Sequence, residues 1–112
     1  MAIVDANYAE MNFEEMAAAI GLKPKHMPML IASFIDESGP ILSDLESAIG
    51  AQDFPTIKLK AHSIKGSAGN LKFNAIYEMA REMEFAGQDS NADFNYTAYL
   101  DAIKKAIATI PQ

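Results

Sequence analysis

The 112-residue chain carries 9 Lys+Arg against 15 Asp+Glu, a formal net charge of −6, and half of its residues are hydrophobic. That length fits one domain, 1–112, and the apolar content supports a packed core rather than a disordered chain. The acidic balance argues against a nucleic-acid backbone as ligand, and zero cysteine removes disulfides, thiol catalysis and cysteine–zinc sites together.

Helical spacing is nearly continuous, and strand alternation is almost absent. In the first segment Asn12 is a candidate N-cap, with Glu15 placed to complete a capping box, and the helix runs through 16–20 to a stop at Gly21. The second segment, 25–49, keeps Phe34, Ile41 and Ala48 in one heptad phase across Gly39-Pro40. The pattern favours one kinked helix, about 37 Å long at 1.5 Å per residue, over two helices joined by a loop. Asp53 caps a third helix with the stripe Ile57, Ala61, Ile64, Ala68 and Leu71. A fourth follows Asn74 with Ile76, Met79, Ala80 and Met83 and ends near Gly87, and a fifth starts near Phe94 with Tyr96, Leu100, Ile103 and Ile107 on one face. Short connections between substantial helices predict an all-α, up-and-down antiparallel four-helix bundle with a short N-terminal helix over one end. No apolar run approaches the roughly 20 residues that span a bilayer. Residues 1–5 lack a basic segment followed by an apolar one, so no secretion signal is visible and a cytoplasmic location is expected.

The third helix holds the most informative residues. On a wheel at about 100° per residue, His62 lies away from Ile57, Ala68 and Leu71, with Lys58, Lys65, Gly66 and Gly69 within about 60° of it. A mid-helix glycine such as Gly66 costs about 1 kcal/mol relative to alanine. If no other helix packs on this face, both glycines have a physical use only when a second molecule approaches His62 closely. Lys65 is then placed to balance negative charge arriving at the imidazole and to keep a ring nitrogen free as a nucleophile. Each residue alone has a plainer reading: a solvated histidine, a solvated lysine face, and Gly69 as the helix end assisted by Asn70. Only their combination points to a histidine that exchanges an anionic group.

The run Ala61-His62-Ser63-Ile64-Lys65-Gly66-Ser67-Ala68-Gly69-Asn70-Leu71 resembles the signature of histidine-containing phosphotransfer (HPt) domains of multistep phosphorelays. Phe34 with Ile35-Asp36-Glu37, residues 45–49 and Gln52-Asp53 resemble that family's long second helix and the turn after it. Residues 76–84 resemble its next helix, so the likeness covers 25–88. The resemblance implies that His62 takes a phosphoryl group from a receiver-domain aspartate and passes it to another receiver. It implies that Lys65 neutralises the phosphoryl oxygens, that Gly66 admits the receiver, and that Lys58, Leu59, Ser67 and Gly69 support the site or its docking. The Mg²⁺ would be supplied by the receiver, with no cofactor held by this chain. The implied partners are response-regulator receiver domains and a hybrid sensor histidine kinase, without nucleic acid or membrane. Lys72-Phe73 departs from the family pattern, where glycine and a small residue are common; the change falls at the connection to the fourth helix.

The remaining candidates read more plainly. His26, in a prolyl and basic lead-in, is expected to be solvated, and two histidines alone do not make a zinc site. Glu78, Glu82 and Glu84 lack the Glu-x-x-His pairs of a di-iron bundle. Glu84 is expected on an ordinary solvated face, a hydrogen bond to the His62 ring being the alternative. Met79 and Met83 read as core filler. Leu59 and Phe73, where exposed near His62, would supply the apolar part of a docking patch. Gly66-Ser67-Ala68-Gly69 follows no strand and lacks Walker spacing, so no ATP site and no kinase activity are expected. Two alternatives stand beside the phosphorelay carrier: the phosphoacceptor domain of a chemotaxis-type histidine kinase, disfavoured because no kinase segment follows Gln112, and a non-catalytic helical adaptor. No heptad seam remains for a partner helix, so a monomer is expected.

Overall fold

The computed structural model describes residue 3 and residues 6–111; most of the 1–5 segment, and Gln112, lie outside the described residues. Five α-helices, and no strand among the described residues, make up the fold: α1 Phe13–Ala19, α2 Met27–Gly50, α3 Phe54–Asn70, α4 Asn74–Gln88 and α5 Tyr96–Ala108. A 3-10 turn at Pro24–His26 precedes α2. It delays the start of α2 by two residues relative to the periodicity, because the His26 N–H closes on the Lys23 carbonyl at 3.0 Å. Beyond it α2 is one helix, with Pro40 inside it. Gly39 and Pro40 both face solvent, where the carbonyl freed by the missing proline N–H meets water.

The predicted stripes point inward. Helix α3 packs between α2 and α4, and α5 closes the ring by packing on α4 and α2. Ile31, Phe34 and Leu45 of α2 meet Ile57, Ala61, Ile64 and Ala68 of α3, with Ile76, Met79 and Met83 of α4 and Ile103 of α5 filling the other side. The result is a four-helix bundle with α1 against the start of α2. Met79 and Met83 are fully buried.

The short loops share one backbone device. Helices α1, α2, α3 and α4 each end with a residue at positive φ, namely Gly21, Gln52, Lys72 and Ser90. The next residue's N–H reaches back to the helix: Leu22 to Ala17, Asp53 to Ala48, Phe73 to Ala68 and Asn91 to Ala86, each at 2.9 Å. This Schellman closure satisfies carbonyls that the helix end would orphan. After α2 it delivers Asp53 directly as the cap of α3, its Oδ1 accepting the Thr56 N–H at 3.3 Å and its Oδ2 the Thr56 hydroxyl at 2.6 Å.

Phe73 occupies the equivalent position after α3, and it is not part of a docking patch. It is 1% exposed, with its ring 5.3 Å from that of Phe34 and 4.9 Å from that of Tyr8. As the N-cap of α4 it offers no side-chain hydrogen bond. The Tyr8 phenol lies near this end of α4: burial raises it, and the Ala75 and Ile76 backbone opposes that shift. The Tyr8 N–H also binds Thr109 Oγ1 at 2.9 Å, tying the N-terminal segment to the end of α5.

Only α1 closes on glycine; Lys72 holds a φ of 62° that L side chains adopt at a cost. Lys72→Gly is expected to raise stability by about 0.5–1 kcal/mol, less than the full strain because glycine also loosens the unfolded chain. The urea midpoint of the two proteins checks this.

Candidate functional site

The site begins with the spacing of α3 and α4. Ala61 and Ala68 on α3 and Ala80 on α4 are buried small residues, and they let the two backbones approach. The approach is close at Gly87, where a built Cβ would stand 3.0 Å from the Lys58 backbone nitrogen and 3.3 Å from the Phe54 carbonyl. At that separation Glu84, one turn before Gly87, reaches the third helix.

Glu84 is therefore not on a solvated face. It is 7% exposed, and its two carboxylate oxygens hold two residues of α3. Oε2 lies 2.8 Å from His62 Nδ1, and Oε1 lies 2.7 Å from Lys65 Nζ. Burial pushes the Glu84 carboxyl up, but the hydrogen bonds and charges of Lys65 and His62 outweigh it and hold the group below its ordinary value. An ionised carboxylate only accepts hydrogen bonds, so Nδ1 carries a proton, and in the neutral ring the lone pair is on Nε2. The His62 side chain is 62% exposed, leaving Nε2 open to an incoming group.

Around the ring lies an open groove of about 540 Å³, lined by Pro55, Lys58, Leu59, His62 and Glu84. Leu59 is 62% exposed. Nothing lies within 4 Å of a Cβ built at Gly66, so that position is open for a docking molecule. The exposed imidazole, its orienting carboxylate and an unobstructed approach thus meet on one face. The arrangement suits a histidine that accepts a group at Nε2 while Glu84 steadies the charge appearing on the ring.

The pattern of the Hpt domain family matches residues 29–110. The chain belongs to that family. No curated protein and no solved structure matches it. Hpt domains are phosphotransfer modules of two-component systems, phosphocarriers without kinase activity that work with receiver domains and kinases. No helix of this Hpt domain, among the described residues, is long and apolar enough to cross a membrane. Nor does any group of three or more His, Cys, Asp or Glu among them stand ready to hold a metal ion.

Within the Hpt domain the other expected residues divide. Lys58 and Leu59 share the groove with His62, and Lys65 reaches it through Glu84. Ser67 does not: it lines a shallow depression on the α2 side with Leu30, Ser33 and Phe34. Gly69 also serves another purpose than docking, because α4 packs on that part of the face. A Cβ at Gly69 would meet the Tyr77 ring at 3.1 Å. The expectation that no helix packs beside the two glycines fits Gly66 and fails at Gly69. His26 ends the 3-10 turn before α2 and is not among the residues lining the groove.

Glu84→Gln is expected to cost about 1–2 kcal/mol at neutral pH, since it weakens the charge-assisted hydrogen bond from His62 and removes the charge opposite Lys65. A carboxyl held low in the folded state stabilises above its unfolded value and loses that contribution as pH falls through the folded one. The gap between wild type and Glu84→Gln should therefore close in acid, as urea unfolding across pH will show. Gly87→Ala, which presses on α3 backbone, is expected to destabilise by about 1–3 kcal/mol. It should also shift the His62 ring ¹⁵N signals, which report the Nδ1–H tautomer, by moving Glu84.

Proposed function

We propose that this Hpt domain is a phosphorelay carrier that accepts a phosphoryl group on His62 from a receiver-domain aspartate and returns it to the aspartate of another receiver. The observation that carries the reading is the His62–Glu84 hydrogen bond of 2.8 Å beneath an exposed ring. Attack by Nε2 forms the N–P bond as the acyl phosphate P–O bond breaks, and the aspartate leaves as a carboxylate. The ring keeps its Nδ1 proton throughout, so its new positive charge faces the Glu84 carboxylate and no proton has to move. Reverse transfer uses the same contacts. Little else is required of the domain, because phosphoryl transfer depends mainly on positioning and charge stabilisation. The Mg²⁺ belongs to the receiver on this reading, and Leu59 and Gly66 form the surface that the receiver covers.

The test is transfer of labelled phosphoryl from receiver domains to wild type and variants. His62→Gln is expected to abolish acid-labile, base-stable label on the domain. Label that persists on this variant defeats the assignment, and label from an isolated kinase domain but from no receiver would favour a kinase-fed phosphoacceptor.

Gly66→Ala separates docking from folding. With open space around the new methyl group and a helical backbone, it is expected to stabilise the domain by about 0.5–1 kcal/mol. The same variant should slow transfer about tenfold or more, because a small misplacement of reacting groups is costly. Gly69→Ala, which meets Tyr77, should give a smaller stability gain than Gly66→Ala.

A further inference from the structure

Two lysines flank His62 on α3, and their surroundings differ. Lys65 is committed: its ammonium lies 2.7 Å from Glu84 Oε1, and its side chain is only 20% exposed. Because the carboxyl of Glu84 is held low, it stays charged at neutral pH and cancels the Lys65 charge locally. Drawing Lys65 away to a new anion would strip a 9%-exposed carboxylate of its ammonium.

Lys58 has no such obligation. It is exposed, and among the described residues it makes no ion pair. It lies one helical turn before His62, so the two side chains are neighbours on the helix surface. Both line the same groove. With Nδ1 bound to Glu84, the free nitrogen of the ring is Nε2, and a phosphoryl group there brings up to two negative charges into that groove. Glu84 and Lys65 balance each other, and the positive charge that forms on the ring offsets one of the two phosphoryl charges, so one negative charge is left without a counter-ion. A lysine on a flexible four-carbon stem can follow such a group without a preset geometry.

We propose that Lys58 is the cation that holds the phosphoryl oxygens on His62 Nε2, while Lys65 acts as a positioning residue that holds Glu84. This deepens the carrier reading and rests on it: His62 must accept the phosphoryl group for Lys58 to bind it. The role differs from the one that the signature resemblance implies, where Lys65 meets the phosphoryl group directly.

The experiment uses phosphoramidate, which phosphorylates histidine without a receiver; the bond to nitrogen at His62 forms as ammonia leaves. Phosphorylated wild type, Lys58→Gln, Lys58→Arg, Lys65→Gln and Lys60→Gln are then titrated by ³¹P NMR. Lys60, paired with Asp44 at 3.1 Å on the α2 side, serves as the control. A nearby cation favours the phosphoryl dianion, so its removal raises the midpoint of the second ionisation. Lys58→Gln is expected to raise that midpoint by about 0.5 pH units or more, with Lys58→Arg restoring it. Lys65→Gln should raise it less, and Lys60→Gln should leave it in place. A wild-type midpoint in Lys58→Gln, or a larger rise in Lys65→Gln, overturns the proposal while leaving the carrier reading intact. Absence of a phosphohistidine signal from wild type, with Lys60→Gln equally silent, overturns the carrier reading itself.

Discussion

One buried carboxylate sets the chemistry of this Hpt domain. Glu84 spans the gap between α4 and α3 and binds His62 with one oxygen and Lys65 with the other. Removing a carboxylate from water costs several kcal/mol, and a single charge-assisted hydrogen bond returns about 1.5–3. The His62 bond to Oε2 and the Lys65 ammonium 2.7 Å from Oε1 together tip the balance, and the lowered carboxyl of Glu84 has that sign. The arrangement fixes the ring orientation, the tautomer and the counter-charge with one side chain. It depends in turn on the interhelical distance, which Ala61, Ala68, Ala80 and Gly87 keep short.

Where each helix starts is set by how the one before it ends. Four successive helices close with a left-handed residue and a bond of 2.9 Å from the next N–H, so each reverses in a few residues. A short reversal leaves the following helix little freedom in where it starts. Asp53 and Phe73 occupy the closing position after α2 and α3. One becomes a hydrogen-bonding cap, and the other an apolar plug packed against the rings of Phe34 and Tyr8. The N-terminal segment, outside the family-matched residues 29–110, thus helps to define the start of the helix that carries Glu84.

Most of the fold was legible because it follows from periodicity: the stripes of α2 to α5 mark their own core faces, and the heptad phase carried α2 through Gly39-Pro40. What stayed hidden depends on relations between helices. A wheel places Glu84 at the edge of the apolar arc of α4, but it cannot say whether that edge meets water or a neighbouring helix. The alanines and Gly87 were the available signal, since small residues at the boundary of a stripe mark a close approach. The same blindness made Gly69 look like a partner of Gly66, although a Cβ at Gly69 meets Tyr77 and one at Gly66 meets nothing. Phe73 was hidden for a different reason. Its burial belongs to the Schellman closure, and that signal is obscured when lysine rather than glycine holds the left-handed position.

Charge shows how composition can argue against one class of ligand and leave another open. The net charge of −6 describes the whole chain, whereas exposed charges are screened beyond about 8 Å at physiological ionic strength. The groove and its ion pairs bring Glu84, Lys65 and Lys58 together around His62, and these three sum to one positive charge. A polyanion spans many Debye lengths and meets the acidic surface; a single phosphoryl group does not leave the groove. The acidic exterior therefore discourages extended anions without opposing a compact one, and the local sign is decided by whether Glu84 takes one lysine or both. The structure gives it one, which on the proposed reading leaves the other for the group that His62 accepts.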